Sequence, residues 1–242
     1  MVARPQHAPE YSSLTELYKQ IGSIVLPSAA MRTVHIVGSR GYAEIILKEA
    51  ERYAAKGLCR RGQVVVDPRF YEAEAYRQDV ESLTRRGWQV ADSFEQLIEN
   101  GQHADRGIGE TEDPYMGTAG LLLLPVPIQL HTEMAVPALQ AGFDVLCEKP
   151  VAGSMAEARR MHHVAYEEGR NLRFGFQHRL SESVSRMIVG IEAGEIGRVV
   201  RIIGSVFWRR PSSYFERSSW SGKLAVGGRP VLDSPSQNAG AH

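Results

Sequence analysis

From residue 32 to about residue 180 the sequence alternates short apolar runs with longer amphipathic segments, and this rhythm restricts the fold more than any other feature. "RTVHIVG", "GQVVVDP", "WQVAD", "AGLLLLP", "FDVLCEKP" and "NLRFGFQ" read as six strands, mostly bounded by glycine or proline. Between them lie helical patterns. "YAEIILKEAERYAAKG" ends on Gly57, residues 72–86 are charge-rich, and "SFEQLIENG" opens on the capping pair Ser93 and Gln96. Residues 128–141 form a fourth helix, and "SMAEARRMHHVAYEEG" a fifth, capped by Ser154 and Glu157. Strand and helix repeated in this way give a parallel sheet with helices on both faces, a doubly wound α/β domain.

Beyond this rhythm, residues 181–194 read as a helix closed by Gly194. "RVVRIIGSVFW" reads as a long strand with one solvated face. Residues 102–118 and 209–230 read as loops, and residues 1–30 as an N-terminal extension with one short amphipathic helix. The expected organisation is the extension 1–30, a dinucleotide-binding domain 31–150, and the start of an α+β domain 151–242 with an incomplete, mostly antiparallel sheet.

Charge narrows the function. The chain carries 28 Lys and Arg against 28 Asp and Glu, so no field attracts nucleic acid or an anionic membrane. The longest apolar run, "GLLLLPVP", is too short to span a bilayer. Cys59 and Cys147 make neither a disulfide framework nor a metal-ligand spacing, and a cytoplasmic location is expected.

In a doubly wound sheet, ligands bind at the carboxyl ends of the strands. The first strand exits into "VGSRGYAE". Gly38 permits a tight turn, Ala43 permits close helix–strand packing, and the amides at the helix start (Ser39, Arg40, Gly41, Tyr42) suit a pyrophosphate. The middle glycine of the G-x-G-x-x-G/A pattern is Arg40, which obstructs close approach unless the loop shifts by one residue. Asp67, leaving the second strand, suits the adenosine ribose hydroxyls; it also reads as a turn residue before Pro68. Asp67 favours NAD, while Arg69 suits a 2′-phosphate and so leaves NADP open.

The exits "LLPVPIQLH" and "VLCEKPVAGSMAEA", with "GFQHR", "EIGRVVRI" and "PVLD" further on, resemble the Gfo/Idh/MocA family of dinucleotide-dependent oxidoreductases, which act mainly on sugars and other polyols. The resemblance implies a Rossmann-type N-terminal domain, a sugar-like substrate and a homo-oligomer. It makes Lys149 the catalytic lysine, beside Glu148 and in a cis bond to Pro150. An ammonium there can hydrogen-bond a substrate hydroxyl and favour its alkoxide. Pro125, Val126 and Pro127 match the loop under the nicotinamide. His131 reads either as a cofactor contact or as a capping or surface histidine, and Gln177 and Arg179 either line the site or sit in a solvated loop. Trp208, Arg209, Arg210, Tyr214, Phe215, Arg217, Trp220 and Lys223 make an aromatic and basic cluster suited to sugar rings or to packing on itself.

The family's D-x-x-x-H element falls on "PVLDSPSQNAGAH" in two registers. Asp233 aligns with the aspartate but has Gln237 four residues on; Asn238 and His242 have the spacing that puts both on one helix face. The second register is favoured, with His242 taking the proton and Asp233 as an added polar group. Family members continue past this point, so a C-terminally truncated chain is expected. Two readings follow: an NAD(P)-dependent dehydrogenase, or a non-enzymatic dinucleotide-binding relic.

Overall fold

The computed structural model describes residues 32–66, 68, 72–104, 119–205, 207 and 212, with the side chains of 102–104 and 180 left aside. Its strands are β1 (Thr33–Val37), β2 (Arg60–Val65), β3 (Gln89–Ala91), β4 (Leu121–Leu124), β5 (Asp144–Cys147) and β6 (Leu172–Phe174). They form one sheet in the order β3-β2-β1-β4-β5-β6. Every pairing is parallel. This is the order of a dinucleotide-binding doubly wound sheet, with its switch point between β1 and β4.

The helices are α1 (Tyr42–Ala55), α2 (Ala73–Arg85), α3 (Phe94–Ala104), α4 (His131–Gln140), α5 (Met155–Glu167) and α6 (Glu182–Glu192). A 3-10 turn, Ile128–Leu130, precedes α4, so the helix expected from residue 128 begins as a tighter turn behind Pro127. Ser154 caps α5 by accepting from the Glu157 amide at 3.2 Å, as its capping pair predicts. In the same way the Gln96 amide donates to Ser93 Oγ at 3.2 Å at the start of α3.

The four leucines of β4 show why the sheet is covered on both sides. Leu121 and Leu123 pack with Val34, Ile36 and the α1 stripe Ala43, Ile46, Leu47 and Ala50. Leu122 and Leu124 pack on the opposite face with Met134, Leu139 and Phe143. Side chains alternate along a strand, so an unbroken leucine run has to be buried on both faces. Each fully buried leucine contributes about 1.5–3 kcal/mol relative to exposure.

The parallel sheet runs past Pro150, the boundary expected from the sequence, because β6 pairs with β5 through Phe174. One expectation is corrected, at "RVVRIIGSVFW": residues 199–205 form no strand. Val200, Ile202 and Ile203 are 82%, 81% and 79% exposed. Alternating β-branched residues suit a strand, but a strand exists only where a neighbour takes its hydrogen bonds. The antiparallel sheet expected after it, the N-terminal extension, most of the 102–118 loop and the aromatic-basic cluster lie outside the described residues.

One backbone contact carries a prediction. Gly120 has φ +111°, and a Cβ there would stand 2.6 Å from the Thr33 carbonyl oxygen at the start of β1. Gly120→Ala is expected to lower stability by about 2 kcal/mol through backbone strain. A urea titration showing an unchanged midpoint would contradict this.

Candidate active site

Four strand exits line up along the carboxyl edge of the sheet. β1 exits through Gly38–Gly41, β4 through Pro125–Pro127, β5 through Glu148–Pro150, and β6 through Gly175–Gln177. Gly38 adopts φ +100°, and a Cβ there would meet Ala43 Cβ at 3.4 Å, so the turn and the close helix packing occur together. Gly41 is the N-cap of α1 at φ 60° and supplies no side-chain acceptor to the first turn of the helix. Among the described residues nothing lies within 4 Å of the position a Cβ would take at Gly41. An open glycine at the mouth of a helix N-terminus fits a phosphate group.

Arg40 does not obstruct this loop in the way its position suggests. Its guanidinium is drawn sideways onto α2, with Nε 2.9 Å and Nη2 3.0 Å from the Asp79 carboxylate. Nη2 also donates to the Ala75 carbonyl at 3.2 Å. Ser39 Oγ donates to the same Asp79 at 2.6 Å. Burial pushes the Asp79 carboxyl up, but the hydrogen bonds from Arg40 and Ser39 outweigh it and hold the group below the usual carboxylate range. Ser39, Arg40, Gly41, Glu44, Asp79 and Arg86 line a cleft of about 300 Å³ between α1 and α2. Asp79 was not legible as a site residue: it is one acid in a charge-rich helix, and its partners lie 39 and 40 residues earlier.

At the other end of the crevice the Lys149–Pro150 bond is cis, as the resemblance implies. Lys149 is half-buried at the exit of β5. Its backbone N–H donates to Glu148 Oε2 at 3.2 Å, so Glu148 braces the main chain on which Lys149 is mounted. Gly175 makes room for that carboxylate: a Cβ there would stand 3.1 Å from Glu148 Oε1. The sequence pattern does not mark Gly175; its only signal is a glycine directly after a strand. Gln177 leaves β6 half-buried in a 3-10 turn, Gln177–Leu180, with Arg179 exposed in the same turn.

His131 is neither a capping nor a surface residue. It is the first residue of α4 and has 0% exposure. Its ring reaches two backbone carbonyls, Nε2 to Val126 O at 2.9 Å and Nδ1 to Val151 O at 3.3 Å. Burial lowers its pKa, partly offset by these carbonyls. Such a ring holds loops together and has no surface to offer a nucleotide. Asp67, Asp233, Asn238 and His242 lie outside the described residues.

Residues 112–176 match the family profile described as "Oxidoreductase family, NAD-binding Rossmann fold" (GFO_IDH_MocA). The chain is 27% identical over 109 residues to levoglucosan dehydrogenase of Pseudarthrobacter phenanthrenivorans, covering 45% of this chain and 28% of that protein. It is 30% identical over 92 residues to inositol 2-dehydrogenase of Corynebacterium glutamicum, covering 38% and 27%. Its fold matches the WlbA dehydrogenase of Bordetella pertussis, solved with NADH and UDP-GlcNAcA, at a TM-score of 0.66 and 22% identity, covering 85% of this chain and 53% of that one. The matched stretch thus spans less than a third of these two curated relatives and about half of the solved structure. With the sheet order, the Gly38 turn and the Glu148-Lys149-Pro150 exit, these matches show a Rossmann domain that is similar to that of the Gfo/Idh/MocA oxidoreductases over residues 112–176.

Proposed function

We propose that the chain binds NAD(H), or NADP(H), along the carboxyl edge of its sheet and transfers a hydride to or from a hydroxyl-bearing carbon of a sugar- or polyol-like substrate. The observation that carries this reading is Lys149, half-buried at the exit of β5 and braced by Glu148, in the same row of exits as the open Gly38–Gly41 turn. The dinucleotide supplies the hydride acceptor or donor. Gly38 and Gly41 admit its pyrophosphate to the start of α1, while Asp79 holds the Arg40 side chain over α2. Asp67 suits the ribose hydroxyls of NAD. Pro125 and Pro127 shape the floor at the nicotinamide end, and Gln177 borders it.

Lys149 then hydrogen-bonds the substrate hydroxyl and stabilises negative charge on its oxygen as the C–H bond is lost. The spacing of Asn238 and His242 suits a histidine that takes the hydroxyl proton with a polar neighbour on its own helix face, and Asp233 adds a further polar group. The similarity to an inositol 2-dehydrogenase and a levoglucosan dehydrogenase supports a polyhydroxylated substrate.

The test is a fluorescence titration of the 242-residue chain with NADH and NADPH, followed by nicotinamide absorbance with inositol, levoglucosan and simple glucosides. Saturable binding, tighter for NADH, is the expected result. Binding of neither nucleotide would overturn the reading.

A further inference from the structure

The two carbonyls that the His131 ring reaches belong to different walls of the crevice. Val126 lies in the exit of β4, under the proposed nicotinamide position, and Val151 directly follows Pro150 in the exit of β5. A single buried ring therefore spans the two loops whose separation sets the distance between the nicotinamide and Lys149. We propose that His131 is a positioning residue: it fixes the gap between the β4 and β5 exits and so holds Lys149 at working distance from the reacting carbon. This rests on the role given to Lys149 above.

The chemistry of the ring makes the two links unequal. Neutral imidazole has one N–H, so it donates to one carbonyl only. The 2.9 Å contact at Nε2 has ordinary N–H···O length, whereas the 3.3 Å contact at Nδ1 is long. The Nε2–H tautomer thus makes the one hydrogen bond, to Val126, and the unprotonated Nδ1 meets the Val151 carbonyl only as a packing contact. The ring is fully enclosed, so water cannot take over either carbonyl if the imidazole is removed. The geometry is unforgiving, since displacing a reacting group by about 1 Å costs about 100-fold in rate.

Three substitutions separate positioning from filling. His131→Phe keeps a ring between the two exits and removes the Val126 hydrogen bond. His131→Gln places an amide N–H near the former Nε2 and keeps that hydrogen bond. His131→Asn is too short to reach the Val126 carbonyl and loses it. Hydrogen exchange of the nucleotide-free full chain is the first readout. The Val126 and Ile128 amides should exchange about tenfold faster in the Phe and Asn variants and near the wild-type rate in the Gln variant, since Pro125 and Pro127 have no amide to follow. On the same panel of polyols, kcat should fall about 10- to 100-fold in the Phe variant and recover most of the way in the Gln variant, with NADH affinity within about threefold throughout. Equal exchange in all three variants, or equal loss of kcat in the Phe and Gln variants, would show that His131 only fills space. If the wild-type chain binds no nucleotide while the exchange pattern appears as expected, the proposed function fails and the link between the loops stands.

Discussion

Lys149→Met lowers kcat/KM for polyol oxidation by about 10²–10⁴-fold, the range attributed to a positioned proton-handling group. Methionine keeps most of the side-chain length and apolar stem, so packing at the exit of β5 is preserved and only the ammonium is lost. In the proposed function the nucleotide is held mainly at the Gly38–Gly41 turn on β1, two strands away in the sheet order, so NADH affinity should change by less than about threefold. A loss confined to kcat, with KM unchanged, marks an interaction that strengthens as the hydroxyl oxygen gains charge. Stopped-flow hydride transfer and NADH titration measure the two quantities separately. Retention of full turnover by the methionine variant would sink the assignment.

The second large effect concerns stability in acid and comes from a residue far from this chemistry. His35 lies in the middle of β1, 1% exposed, and stacks edge-on against Phe143 at 5.4 Å between centroids. Its Nδ1 accepts the Gln63 amide at 3.3 Å. Its Nε2 has no hydrogen-bond partner among the described residues. Burial brings its pKa down from 6.5 to about 4. Below about pH 6.5 the unfolded chain therefore takes up a proton that the folded chain refuses. Each pH unit costs about 1.4 kcal/mol, so roughly 3 kcal/mol of stability, present in full above pH 6.5, is lost by about pH 4. His35→Asn keeps an acceptor near Nδ1 but cannot titrate. The variant should be less stable than wild type at pH 8, because it loses the contact with Phe143, and should show a much flatter decline from pH 6.5 to 4. Urea unfolding across that range decides it; identical slopes for the two proteins would refute the account.

Most of the sheet could be read from the sequence because its strands are apolar runs cut off by glycine or proline; even the weak "WQVAD" proved to be β3. The segment "RVVRIIGSVFW" misled because its composition reports what would suit a strand, while pairing depends on a neighbour that composition cannot supply. At the candidate site, the placement of Gly38 and Lys149 was legible because each stands where a strand ends, the edge at which a doubly wound sheet takes ligands. The Arg40–Asp79 pair was not, since no local pattern joins a loop residue to a helix residue 39 positions away. The burial of His131 was also hidden. A histidine opening a helix reads as polar and exposed, and only the return of Val151 over it encloses the ring.

Asp144, at the amino end of β5, accepts from Arg32 Nη1 at 2.6 Å just ahead of β1 and from the Asn171 amide at 2.7 Å just ahead of β6. These bonds lie at the edge of the sheet opposite the crevice, yet they act as a zero mark for it. β5 is only four residues long and advances about 3.3 Å per residue, so Lys149 emerges at a depth counted directly from Asp144. A slip of one residue would shift that depth by one step and turn Glu148 and Lys149 to opposite sides. A carboxylate that meets neither nucleotide nor substrate thereby sets how far Lys149 projects into the crevice.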